Sequence, residues 1–172
     1  YKYGNEYQKN TFLPKLASGK SLGSFSLSEP QSGSDASNMK TFARRESSDF
    51  VINGTKNWVT NGTSSDIVIL LCLTKKNVGY KGISAFIVEK TFDGLTTGNK
   101  ENKLGIRGSD TCEIYFDNCK VPSKNLIASE GEGFRIALDI LNGGRIGIAT
   151  QALGIAQESL DRSIQYAKER EQ

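Results

Sequence analysis

Three groups of residues have types and spacings that could do chemistry. The first runs Ser26-Leu27-Ser28-Glu29-Pro30-Gln31-Ser32-Gly33-Ser34-Asp35 and follows a β-like run. Hydroxyls and free backbone N–H groups in such a turn can hold a carbonyl-rich ring or a phosphate. The same composition also makes an ordinary solvated turn. The second group is Lys56, Trp58 and Thr60, which share one face of a strand if the side-chain period of two is kept. A flat indole beside a hydroxyl suits a flat ligand with polar edges; the pattern alone favours a core position for a single tryptophan. The third is Glu130-Gly131-Glu132-Gly133-Phe134, which has G-x-G but neither a third glycine nor the lysine of a phosphate loop. Helix capping accounts for it.

The chain has no histidine. That excludes Ser-His-Asp and Cys-His nucleophile systems, and histidine-based zinc or iron sites, within these residues. Chemistry must come from carboxylates, hydroxyls, backbone groups or a borrowed cofactor. Cys72, Cys112 and Cys119 form no C-x-x-C pair, and their odd count argues against a disulfide framework. A reducing compartment follows. The net charge of +3 is dispersed, without the basic stripe of a nucleic-acid binder. No apolar run reaches membrane-spanning length.

The elements that must position these residues are legible in outline. Tyr1 to Lys20 reads as the end of a helical region, closed by Pro14 and Gly19. From Leu22 the pattern alternates, with Phe25 and Leu27 on one face and Ser26 and Ser28 on the other. Two β-rich runs flank Asn53-Gly54, which predicts a two-residue hairpin there; Asn61-Gly62 reads as a second turn. Both fall in Asn-Gly-Thr, the glycosylation acceptor pattern, and the turn is the favoured reading. Runs from Asp66, Gly82 and Thr111 read as further strands. Ser129 and Glu132 have capping-box spacing before a helix, Gly143-Gly144 interrupts, and a second helix carries Ile146, Ala149, Leu153, Ala156, Leu160, Ile164 and Ala167 at steps of three or four. Strands grouped ahead of helices predict an α+β chain with a compact antiparallel β unit, not a Rossmann sheet.

In order along the chain, LPKLASGK (13–20), LSEPQSGSD (27–35), INGTKNWVTNG (52–62), KGISAFIVEK (81–90), KLGIRGSDT (103–111), IYFDNCKVP (114–122), GGRIGIATQALGIAQ (143–157) and YAKERE (166–171) resemble the acyl-CoA dehydrogenase family, most of all its short-chain, butyryl-CoA type. The resemblance covers nearly the whole chain. It implies an internal fragment: 1–20 the end of an N-terminal helical domain, 21–128 a middle β-barrel domain that binds FAD and acyl-CoA, and 129–172 the first helices of a C-terminal helical-bundle domain.

It also implies roles. Phe25, Ser26, Leu27, Ser28, Glu29, Pro30, Gln31, Ser32, Gly33 and Ser34 match the stretch lining FAD, with the Ser28 hydroxyl on the flavin ring. Trp58, Val59 and Thr60 match the strip against the flavin, Thr60 bonding near N5. Ser34 and Asn142, Gly143, Gly144 and Arg145 match acyl-CoA contacts. Arg170, with Glu171 and Gln172, matches an arginine reaching the FAD of a neighbouring subunit. The general-base glutamate of the family is expected further along, so no residue here is assigned as catalytic. The implied reaction is α,β-dehydrogenation of a short-chain acyl-CoA, with electrons passed to an electron-transferring flavoprotein. A homotetramer in the mitochondrial matrix, or in a bacterial cytoplasm, goes with it. The alternatives are an acyl-CoA oxidase and a binding module inactive without the base. Two departures stand out: Gln31 where the family usually has Gly, which disfavours positive φ, and Asn142 where Asp is common.

Overall fold

A computed structural model describes every residue from Tyr1 to Gln172. It divides into two compact units, Tyr1–Ala137 and Leu138–Gln172. Helix α1, Glu6–Ala17, opens with a complete capping box: the Asn5 side chain accepts from Gln8 N–H, and the Gln8 side chain accepts from Asn5 N–H. The same Gln8 side chain is buried and donates to the carbonyls of Lys124 and Leu126 at 2.9 and 2.8 Å, which ties α1 to the far end of the sheet.

Eight strands follow: β1 Gly23–Ser26, β2 Phe42–Glu46, β3 Asp49–Thr60, β4 Ile67–Leu73, β5 Ile83–Glu89, β6 Leu95–Thr97, β7 Thr111–Pro122 and β8 Leu126–Ile127. The sheet runs β6-β7-β3-β2-β4-β5-β8, with β1 beside β4. The α+β class is as expected. The sheet, however, is an open path rather than a closed barrel, and it is mixed. Strands β1 and β2 share one edge of β4, pairing parallel to it at Gly23–Ser26 with Ile67–Leu70 and at Phe42 with Leu73. The physical cause is the loop after β1, which carries the chain along to β2 instead of folding it back.

Strands β4 and β5 are apolar on both faces because each face meets a different core. Val68, Leu70, Phe86 and Val88 pack with Phe50, Ile52, Ile114 and Val121. Ile67, Leu71, Ile83, Ala85 and Ile87 pack with Phe12 of α1 and with Ile136 and Ala137. Phe25 and Leu27 join that second core, while Ser24 and Ser26 are buried on the opposite side of β1.

The hairpin falls six residues earlier than the sequence predicts. Ser47-Ser48 connects β2 to β3 through the Glu46–Asp49 pair, with Ser47 at φ 53°. Strand β3 passes straight through Asn53-Gly54, where its register against β7 slips; Gly54 adopts φ 148°. The tertiary pairing of β3 with both neighbours overrides the local turn preference. Asn61 does turn the chain, at φ 60°, with Gly62 N–H donating to the Val59 carbonyl.

Helix α2 spans Gly133–Glu169 without interruption at Gly143-Gly144, contrary to expectation. Two adjacent glycines cost about 2 kcal/mol against alanine, which stronger formers along the helix, such as Ala149, Gln151, Ala152 and Leu153, offset. Of the capping box only half is made: the Glu132 carboxylate accepts from Ser129 N–H. Within the unit Leu138–Gln172 the helix presents Ile146, Leu153, Leu160 and Ile164 to solvent.

Candidate functional site: a turn and a bulged strand

The loop after β1 is a built structure. Glu29 and Ser32 exchange backbone hydrogen bonds at 2.9 and 3.0 Å, closing a tight turn over Pro30-Gln31. Ser32 is buried and its hydroxyl donates to the Asp35 carbonyl at 2.7 Å, which folds the tip. Pro30, Gln31, Gly33 and Ser34 are exposed on its rim. Gln31 is not among the positive-φ residues; the turn closes without the geometry a glycine would allow, and the Gln31 amide donates to Glu29 Oε2 at 2.7 Å.

The Glu29 side chain points inward rather than toward the rim. Its Oε1 accepts from Lys56 Nζ at 2.8 Å and from Thr41 N–H at 3.1 Å, and its Oε2 accepts from Lys40 N–H at 2.6 Å. Both side chains of the ion pair are essentially sequestered, at 0% exposure for Lys56 and 2% for Glu29. Burial pushes the Glu29 carboxyl up, but the adjacent Lys56 ammonium and the hydrogen bonds from Lys56, Lys40 and Thr41 outweigh it and hold the pKa below the usual carboxylate range. Burial pulls the Lys56 pKa below the usual lysine value, and the facing carboxylate opposes that. Cys72, buried beside them, has its thiol pushed up to about 12 by burial, leaving it inert.

Lys56 and Trp58 do not share a face. Between Lys56 and Val59 the β3–β7 register slips, and Trp58 takes φ 58°, a rare value for a bulky residue. The bulge sends Lys56 into the interior and leaves Trp58 62% exposed. Trp58 is therefore not a core residue. Val59 is buried, and Thr60 is exposed beyond it. Asn57 caps the bulge, its side chain accepting from Trp58 N–H at 2.8 Å.

The turn and the bulged strip are stitched side by side. Lys56 Nζ donates to the Leu27 carbonyl at 2.9 Å, and Asn57 N–H donates to the Ser28 carbonyl at 2.9 Å. Ser28 and the exposed rim of the turn thus lie beside the bulged strip that carries Trp58 and Thr60. The Ser26 hydroxyl lies buried beneath it with no partner. An exposed indole plane, half-buried Ser28 and exposed Thr60 make a wall suited to a flat, hydrogen-bonding ring. No cluster of three or more His, Cys, Asp or Glu is placed to hold a metal ion.

In the other unit, Asn142 accepts from Arg145 Nη1 at 3.0 Å, and both side chains are exposed beside Gly143 and Gly144. Arg170, Glu171 and Gln172 are exposed past the helix end, where Arg170 N–H donates to the Tyr166 carbonyl. Sequence reasoning put Lys56 on the face of Trp58 and Thr60 and missed its burial against Glu29. The available signal was a lysine within a β-rich run and a Glu in the polar turn as a possible partner.

An α+β scaffold of this topology is one that known proteins share. The family model for the acyl-CoA dehydrogenase middle domain matches residues 24–119, and that for the acyl-CoA dehydrogenase C-terminal domain matches residues 131–172. The chain belongs to the acyl-CoA dehydrogenase family. It is 52% identical over 170 residues to an acyl-CoA dehydrogenase of Bacillus subtilis (strain 168), covering 99% of this chain and 45% of that one. The structure of butyryl-CoA dehydrogenase from Megasphaera elsdenii superposes with a TM-score of 0.95 at 45% identity, covering 99% of this chain and 45% of the other. An acyl-CoA dehydrogenase from Bacillus anthracis, complexed with FAD, superposes at 0.90 with 40% identity over 99% of this chain and 29% of that one. The chain thus spans less than half the length of these relatives.

Proposed function

We propose that these residues are the flavin- and thioester-facing part of an FAD-dependent acyl-CoA dehydrogenase acting on short-chain acyl-CoA. The observation that carries the reading is the juxtaposition of an exposed Trp58 with the Ser28 turn, held by the bond from Asn57 N–H to the Ser28 carbonyl. A large aromatic turned outward by a strained backbone is retained where the strain serves binding. When bound, FAD supplies the redox step, taking up the hydride equivalent lost from the thioester β-carbon.

The chain's own residues bind, orient and exclude water. Trp58 covers one side of the ring and keeps solvent from it. The Thr60 and Ser28 hydroxyls donate to the ring where negative charge accumulates on reduction. Ser34, on the exposed tip, is an acyl-CoA contact in this reading; in the other unit Asn142 and Arg145 offer an amide and a cation for the same class of ligand. Arg170 supplies a cation for the FAD pyrophosphate. Glu29 is not a proton acceptor for the substrate, because its oxygens are already shared among Lys56, Gln31, Lys40 and Thr41. The base is the family's glutamate outside these residues. Electrons leave to an electron-transferring flavoprotein, and the assembly is a homotetramer. Residues 1–20, 21–128 and 129–172 serve as parts of successive helical, sheet and helical domains; the apolar stripe of α2 suits a helix that other helices cover.

The test uses the intact protein. It should be yellow, and butyryl-CoA should bleach it without oxygen. Thr60→Ala should slow flavin reduction more than it weakens butyryl-CoA binding. Arg170→Ala should loosen FAD. A colourless protein that cannot be reconstituted with FAD overturns the reading, and rapid peroxide formation in air converts it to an oxidase.

A further inference from the structure

The turn and the bulged strip come from segments almost thirty residues apart, and neither is held by sheet pairing to the other. Outside the apolar contacts, three hydrogen bonds join them: Lys56 Nζ to the Leu27 carbonyl, Asn57 N–H to the Ser28 carbonyl, and Lys56 Nζ to Glu29 Oε1. Two of the three end on one ammonium. Glu29 extends the tie by accepting from the N–H groups of Lys40 and Thr41, which bring the chain back from the turn to β2. The buried pair therefore fixes both ends of the turn against the strip that carries Trp58 and Thr60.

A buried ion pair is a poor source of stability compared with apolar side chains of the same volume, because both charges are taken from water. It is, however, directional. Three backbone groups and a carboxylate converge on two side chains, and a shift of the turn along the strand breaks several bonds together. Apolar packing at this place would allow the turn to slide.

We propose that the Glu29–Lys56 pair is a positioning device: it sets the register between the Ser28 turn and the Trp58–Thr60 strip from beneath, touching neither ligand. The proposal rests on the flavin reading above for its consequence in catalysis, but the register itself belongs to this chain. Removing the pair lets Ser28 move relative to Thr60, and a displacement near 1 Å in an orienting group costs about a hundredfold in rate.

The experiment uses Lys56→Met and Glu29→Gln in the intact protein, with Tyr80→Phe, on the exposed segment before β5, as a control. In folded variants we expect the single-turnover rate of flavin reduction by butyryl-CoA to fall about tenfold or more, with butyryl-CoA affinity changed by less than about threefold. The emission of Trp58 and the absorption envelope of the flavin should both shift. An unchanged reduction rate with unchanged Trp58 emission in a folded variant overturns the proposal. If neither variant folds, amide exchange in the unsubstituted protein decides. Lys40, Thr41 and Asn57 N–H should exchange only as slowly as the β3 core, and fast local exchange at these three overturns it. If the unsubstituted protein takes up no FAD, the functional reading falls by itself, and exchange at the same amides still judges the register.

Discussion

Lys56 and Trp58 stand two residues apart on one strand and occupy opposite environments, the first fully buried and the second largely exposed. A regular strand would place them on the same face. The register slip against β7 and the positive φ of Trp58 separate them, so one strand serves an interior ion pair and an exterior aromatic wall.

Their substitutions should therefore part company. Lys56→Ala leaves the Glu29 carboxylate buried without its cation and should cost about 3–5 kcal/mol. Trp58→Ala removes an exposed side chain and should change stability by no more than about 0.5 kcal/mol while abolishing the wall. Urea denaturation of the intact protein, read by circular dichroism, measures both.

Acid should act through Glu29. Its folded pKa lies below that of the unfolded chain, so its contribution is fully present above the ordinary glutamate range and lost as pH falls through the lower folded value. Melting temperature should decline on acidification below about pH 4.5, and Glu29→Gln should flatten that part of the curve. A profile identical in the variant removes Glu29 from the acid response.

Gly54 should not accept a side chain. It sits at φ 148°, and an added Cβ would lie 2.6 Å from Thr41 Cα, a backbone atom that cannot swing aside. Gly54→Ala should destabilise by about 1–3 kcal/mol. Thermal denaturation checks it, with Gly33→Ala, which meets no atom within 4 Å, as the tolerant comparison.

The three thiols should be silent in the folded state. Cys72, Cys112 and Cys119 are fully buried, and burial pushes Cys72 and Cys119 up to about 12 and about 11. Peptide mapping after iodoacetamide at pH near 8 should find these positions unmodified without denaturant and alkylated in it. Labelling of Cys72 in the native protein would show that the β3–β4 interior opens.

Much of this was legible in the residues. The run of strands followed by helix, the doubly apolar β4 and β5, the turn at Asn61-Gly62 and the polar loop after β1 all follow from periodicity and turn chemistry. The family motifs, LSEPQSGSD and INGTKNWVTNG above all, pointed to both halves of the wall before their meeting could be seen. Asn53-Gly54 misled because a two-residue turn signal is local, whereas β3 gains pairing with β7 out to Thr60 by continuing. Gly143-Gly144 misled for a similar reason: a helix 37 residues long carries that pair, with Gly147 and Gly154 besides.

What the sequence determined by itself was chemistry by exclusion and by type: no histidine, a single indole, hydroxyls gathered after a strand, and apolar alternation enough to predict the strands. What only the tertiary structure decided was direction. The bulge turned Trp58 out and Lys56 in, and the turn brought Glu29 under rather than over the wall. The period of a strand is a local property, but a bulge arises from mismatch with the strand beside it, and a buried charge can settle only where a distant partner meets it.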